Sequence, residues 1–176
     1  MALYRQAHPR GVQWRAMVRW AEFATQAPEL ARAGEERFDA TGLWLVGTLR
    51  RNGWPRISPV EPLIALGKLY LGMMPRSTKA LDLQRDPRCV VHSATSDKAG
   101  TEGDFKLYGR AVEIDGADEL ERYGEALYER IEWRPEGDFH LFAIDVAEVA
   151  FVRVQDGAMR IRTWRPGEPV GERARD

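Results

Sequence analysis

The sequence predicts an antiparallel β-barrel with helices at its periphery. Three observations carry this expectation. About seven short runs are rich in strand-forming residues, helical periodicity is confined to the start, middle and late parts of the chain, and the two do not alternate as a doubly wound parallel sheet requires. A closed antiparallel sheet removes its own exposed edges, which favours a barrel over an open sheet.

The elements follow in order. Trp14, Met17, Val18, Ala21 and Ala24 fall at helical spacing, and a second helix starts at Pro28, with Leu30, Ala33 and Phe38 on one side. Residues 43–49 and 57–60 are strand-like and flank Asn52-Gly53, a strong hairpin signal. Leu66-Gly67 marks the next turn before residues 68–74, so the first three strands are expected to form a meander. Residues 75–83 turn from loop into a short helix closed by Asp86-Pro87, and residues 88–93 return to strand. The polar, glycine-containing residues 95–104 predict a mobile loop before a strand at 105–114. Leu120, Tyr123, Leu127 and Ile131 define a helix over 117–131 with acidic residues at its start. Residues 139–154 and 159–164 form a final hairpin about Asp156-Gly157. The chain is thus expected to be one domain, with a helical extension over 1–40, the barrel over 41–164 and a loose tail over 165–176.

Composition limits the function. With 44% hydrophobic and 30% charged residues the 176-residue chain can afford one sizeable core. Lys and Arg number 26 against 27 Asp and Glu, so a nucleic acid or an anionic membrane has no global charge to recognise and any anion site must be local. The single cysteine, Cys89, lies in an apolar run, which predicts a buried inert thiol, no internal disulfide and a reducing compartment. No stretch approaches the roughly 20 apolar residues needed to span a bilayer, and the first ten residues hold no apolar leader, so a cytoplasmic location is expected.

The chemistry-bearing residues concentrate around Ser77-Thr78-Lys79. Two hydroxyls and an ammonium at a helix start suit an anion such as a phosphate, although the same hydroxyls can simply cap the helix while Lys79 is solvated. Arg56 and Ser58 alternate on one face of their strand and can add to the same anion, or Arg56 can be an ordinary exposed strand residue. Pro59 and Pro62 remove two ladder donors and predict an irregular or edge segment. His8, His92 and His140 have no metal-ligand spacing, and no metal site is assigned. No catalytic triad or carboxylate pair stands out, so an enzyme on this chain would need a cofactor to carry the chemistry.

Taken in order, Arg56-Ile57-Ser58-Pro59-Val60, Leu69-Tyr70-Leu71-Gly72 and Ser77-Thr78-Lys79-Ala80-Leu81-Asp82-Leu83-Gln84-Arg85-Asp86-Pro87-Arg88 resemble the pyridoxamine phosphate oxidase-like FMN-binding split barrels, including the actinobacterial flavin and deazaflavin oxidoreductases. The resemblance covers roughly residues 41–114. It implies a six-stranded split barrel working as a homodimer, with cofactor sites at the subunit interface. It further implies that Ser77, Thr78, Lys79 and Arg56 hold the cofactor phosphate, that Ser58, Pro59 and Val60 lie along the ring system, and that Met73 and Met74 neighbour phosphate or ring. His92 and the region of Lys106 are the candidates for contacts from the partner. The chain departs from true vitamin B6 oxidases in lacking an Arg-x-His segment near its C-terminus, and its helical N-terminal region is longer than in the smallest members. That region is expected to cover the site or extend the dimer contact.

The resulting expectation is a flavin-dependent oxidoreductase that moves hydride between FMN, or the deazaflavin coenzyme F-420, and a small-molecule substrate. The alternative is a non-catalytic carrier of flavin or haem, and the haem version requires His92 or His140 to face the pocket.

Overall fold

Among the described residues, helix α1 (Trp20–Gln26) and helix α2 (Pro28–Thr41) precede nine strands. The structure, a computed structural model, describes residues 16–95 and 97–175. Pro28 occupies the first turn of α2 as its fixed φ favours, and Gly42 ends the helix in the left-handed conformation, φ 63°. The first helix begins later than its periodicity predicts. Trp14 lies outside the described residues, and Val18 makes a two-way backbone bridge with Val146, at 3.1 and 2.8 Å, instead of a helical turn.

The sheet is built from β1 (Trp44–Leu49), β2 (Pro55–Val60), β3 (Pro62–Ala65), β4 (Lys68–Met73), β5 (Arg88–Ser93), β6 (Asp104–Ile114), β7 (His140–Gln155), β8 (Ala158–Trp164) and β9 (Gly171–Arg175). Helix α3 (Thr78–Arg85) joins β4 to β5, and α4 (Ala117–Ile131) joins β6 to β7. All pairings are antiparallel, and the main path runs β2-β1-β5-β6-β7-β4-β3.

Three expectations need correction. The meander stops after β2, because β4 pairs with the short β3 and with β7, not with β2. Pro59 and Pro62 lie on the two end strands of the path, where a missing N–H costs no ladder bond. Since only Glu61 separates β2 from β3, the two ends of the sheet meet through the chain, leaving a seam in place of hydrogen-bonded closure. The tail expected to be loose carries β9, paired along β8 from Thr163 to Met159. Its five residues are all exposed and polar or small, so no hydrophobic alternation announces it. In the loop before β6, the Asp97 carboxylate accepts from the amides of Glu102, Thr101 and Ala99 at 3.0, 2.6 and 2.8 Å.

Strand β7 is the backbone of the barrel. One edge pairs with β6 from Leu141 to Val152, and the other pairs first with β4 and then with β8. The register shifts between Tyr108 and Gly109, where a side chain on Gly109 would collide with the Asp145 carbonyl. Val18 bridges at this break, between the stretches of β7 used by β4 and β8.

Inward residues of the strands, among them Trp44, Val46, Leu71, Val91, Phe105 and Leu107, are fully buried. Helices α1 and α2 contribute Phe23 and Leu30 to the same core, and Phe23 lies 4.9 Å from Trp164 between ring centroids. The N-terminal helices are thus part of the barrel's packing. A second apolar cluster forms where Tyr123 and Leu127, one turn apart on α4, meet Leu63, Tyr70 and Leu141. Glu119 fixes the start of α4 by accepting from Lys68 and, at 2.7 Å, from the Tyr70 hydroxyl. Among the described residues no helix is long and apolar enough to cross a membrane.

Candidate functional site

The seam between β2 and β3 faces the start of α3, and this is where the sequence placed its anion site. Arg76 turns the chain with φ 57°, and Ser77 precedes the helix in an extended conformation without using its side chain as a cap. Its Oγ is buried and has no hydrogen-bond partner among the described residues. The plain capping alternative is therefore not what the hydroxyl does. Lys79 reaches across to β2 and donates to the Pro59 carbonyl at 2.7 Å. Burial lowers its pKa from the ordinary lysine value, with Glu61 opposing the shift.

Arg56 has a different setting. Its Nε donates to Asp82 at 2.7 Å, and the same carboxylate accepts from Thr48 at 3.1 Å and from Arg85 at 3.2 Å. Arg85 also donates to the Leu49 carbonyl. Burial by itself pushes the Asp82 carboxyl up, but the bonds from Arg56, Thr48 and Arg85 outweigh it and hold the group below the usual carboxylate range. Sequence reasoning missed Asp82 as a site residue. The available signal was Thr48, which continues the buried alternation Trp44, Val46 and so puts a hydroxyl where a core side chain belongs.

The predicted residues fall around two cavities. Pro59, Val60, Met73, Met74 and Lys79 line a cleft of about 910 Å³, together with Glu61, Gly72, Tyr123, Trp133 and Phe139. Arg56 and Thr78 line a basic depression of about 820 Å³ with Arg50, Arg51 and Arg85. Phe38, at the end of α2, lines the cleft, so the N-terminal helices do reach it. Ser58 and Ser77 are half-buried and line neither cavity.

The histidines lie elsewhere. His92 on β5 pairs in register with Leu45 and Lys106, its Nδ1 is 2.7 Å from the Ser93 carbonyl, and it lines neither cavity. His140 links two elements outside the cleft: its Nδ1 is 2.8 Å from Glu113, and its Nε2 accepts from the Arg76 amide at 3.2 Å. That pairing ties the turn before α3 to β6 and β7. Cys89 is buried, which pushes its thiol up to about 12 and keeps it protonated and unreactive.

On the outer surface, Ile57, Gly47, Val90 and Tyr108 sit side by side across β2, β1, β5 and β6. Ile57 is 72% exposed, which marks the row as an uncovered apolar strip.

An antiparallel barrel whose end strands are joined by one residue at a seam, with a cleft along that seam, is a split barrel. The chain belongs to the pyridoxamine 5'-phosphate oxidase family, whose model matches residues 30–153. No curated protein matches it. Among solved structures, Campylobacter jejuni ChuZ superposes with a TM-score of 0.65 at 12% identity, over 80% of this chain and 61% of ChuZ, so the chain spans about three fifths of that protein. A pyridoxamine 5'-phosphate oxidase-related, FMN-binding protein from Nostoc punctiforme PCC 73102 gives 0.61 at 15% identity, over 85% of this chain and 96% of that one. A haem-binding protein from Mycobacterium smegmatis gives 0.53 at 21% identity, over 80% of this chain and 57% of that one. These likenesses share the fold.

Proposed function

We propose that the chain binds FMN, with the phosphate at the start of α3 and the ring in the cleft, and acts as a flavin-dependent oxidoreductase on a small molecule. The observation that carries this reading is the buried, unpartnered Ser77 Oγ two residues before Lys79, a partly buried cation whose pKa burial lowers. A buried hydroxyl without a partner is costly unless something else supplies the bond, and a phosphate oxygen does so. The cleft volume suits a tricyclic ring.

FMN bound there supplies a hydride acceptor and donor. The chain's own residues supply binding and orientation. Lys79 and the α3 amides neutralise the phosphate, Arg56 adds its Nη end, and the β2–β3 seam at Pro59 and Val60 forms one wall for the ring. Met73, Met74, Trp133 and Phe139 give the cleft an apolar lining for the ring.

The homodimer belongs to the same reading, with the strip of Ile57, Val90 and Tyr108 covered by a second copy; sedimentation checks it, and Ile57→Lys should give monomers. A cytoplasmic location also belongs to it and is checked by fractionation. Neither His92 nor His140 lines the cleft, which favours flavin over haem. Arg50 and Arg51 extend positive charge beyond Arg56 and would suit the longer anionic tail of a deazaflavin coenzyme.

The test is a visible spectrum of the purified protein followed by titration with FMN, the deazaflavin coenzyme and haemin. Saturable FMN binding supports the reading; saturation only by the deazaflavin or by haemin replaces the cofactor, and binding of none of the three sinks it.

A further inference from the structure

The α4 wall of the cleft carries a polar group that neither the sequence reading nor the phosphate site uses. Tyr123 is 4% exposed, its ring held between Tyr70 and Phe139 at centroid distances of 5.4 and 6.0 Å. The residue lines the cleft, and its hydroxyl is not one of the buried polar atoms left without a partner, so the oxygen opens to the cleft. A phenol whose ring is fixed by packing and whose oxygen opens to a cleft presents an oriented donor to whatever enters it.

Gly72 makes room for it. The Tyr123 oxygen lies 2.6 Å from the position a Cβ on residue 72 would take, closer than real Cβ contacts allow. Residue 72 pairs normally with Leu141 in an ordinary strand conformation, so the glycine serves the close approach and not the backbone. Burial, with the charge of Glu61 added, raises the phenol to about 12. It therefore stays protonated and acts as a donor across the working pH range.

We infer that Tyr123 is a ligand-binding residue, its hydroxyl donating a hydrogen bond to a carbonyl or ring-nitrogen acceptor on a planar heteroaromatic ring seated over Gly72. The inference rests on the reading that the cleft receives the ring of the cofactor. It selects for rings with an acceptor at that edge over rings without one, because an unmatched ring covers the hydroxyl and leaves it unpaired.

The experiment is an FMN titration of the full-length chain and of Tyr123→Phe, with Lys79→Ala alongside. Tyr123→Phe keeps the aromatic packing, so its melting temperature without ligand should equal or exceed that of the parent chain. Its FMN affinity should fall about 10-fold, and the absorption maximum of bound FMN should move, which a purely structural role would not produce. Gly72→Ala should weaken FMN in the parent chain and cost less in the Tyr123→Phe background, where the crowded oxygen is gone. Equal affinity and an unchanged spectrum for Tyr123→Phe overturn the inference while leaving the cofactor reading intact. Failure of the parent chain to bind FMN, or equal FMN binding by Lys79→Ala, overturns the cofactor reading itself and the inference with it.

Discussion

Arg56 and Lys79 were both expected at one anion, yet they sit in opposite electrostatic surroundings. Arg56 is paired with Asp82, a carboxylate that also serves Thr48 and Arg85 and is almost fully enclosed. Lys79 donates to a neutral carbonyl, has Glu61 near enough to be felt but not bonded to it, and has a pKa pulled down by burial. A cation that already holds a counter-charge mainly maintains structure, whereas one desolvated against a dipole gains most when an anion arrives. The two residues are therefore separable by experiment, one through stability and the other through binding.

The largest effect is expected at Asp82. Asp82→Ala leaves Arg56 and Arg85 facing each other without a counter-charge, which should cost on the order of 2–4 kcal/mol by chemical denaturation once the partial exposure of the guanidiniums is allowed for. The pH dependence has a definite sign. The folded Asp82 carboxyl titrates below its unfolded value, so its contribution is complete above about pH 4 and is lost as pH falls through the folded value. Asp82→Asn, which cannot titrate, should flatten that acid limb while lowering stability at neutral pH. An acid limb identical to that of the parent chain would mean that other carboxylates govern acid unfolding.

Lys79→Ala should show the opposite profile. Stability should stay within about 0.5 kcal/mol, while FMN affinity should fall by about 1.5–3 kcal/mol as a charge-assisted bond is removed. Arg56→Ala is expected to lose on both counts, because it frees a buried carboxylate as well as a phosphate donor. A stability loss at Lys79 as large as that at Asp82 would collapse the distinction.

What could be read in the residues was local. Pro28, Asn52-Gly53, Leu66-Gly67 and Asp156-Gly157 act on their own backbone, and the helix bearing Tyr123 and Leu127 announces itself by spacing, so these features appear where expected. What could not be read was decided by distant partners. Strand β4 is parted from β2 by the short β3 on one edge and takes β7 on the other, Val18 joins a break in register more than a hundred residues away, and β9 is held by backbone bonds that leave no hydrophobic pattern. The site divides the same way. The start of α3 was visible as a motif, but Asp82 and Tyr123 gain their meaning only from Arg56 and Gly72, on other elements.

The smallest effect tests the site most sharply. A serine that caps a helix loses about 1 kcal/mol of stability when changed to alanine, but Ser77 makes no cap bond and its Oγ is unpartnered. Ser77→Ala removes a buried polar atom that earns nothing in the ligand-free chain, so stability should change by less than about 0.5 kcal/mol or rise slightly. FMN affinity should nevertheless fall by about 1 kcal/mol, through loss of a hydroxyl donor to the phosphate. If Ser77→Ala instead loses a full cap's worth of stability and binds FMN unchanged, the hydroxyl belongs to the helix, and Lys79 must hold the phosphate with backbone amides alone.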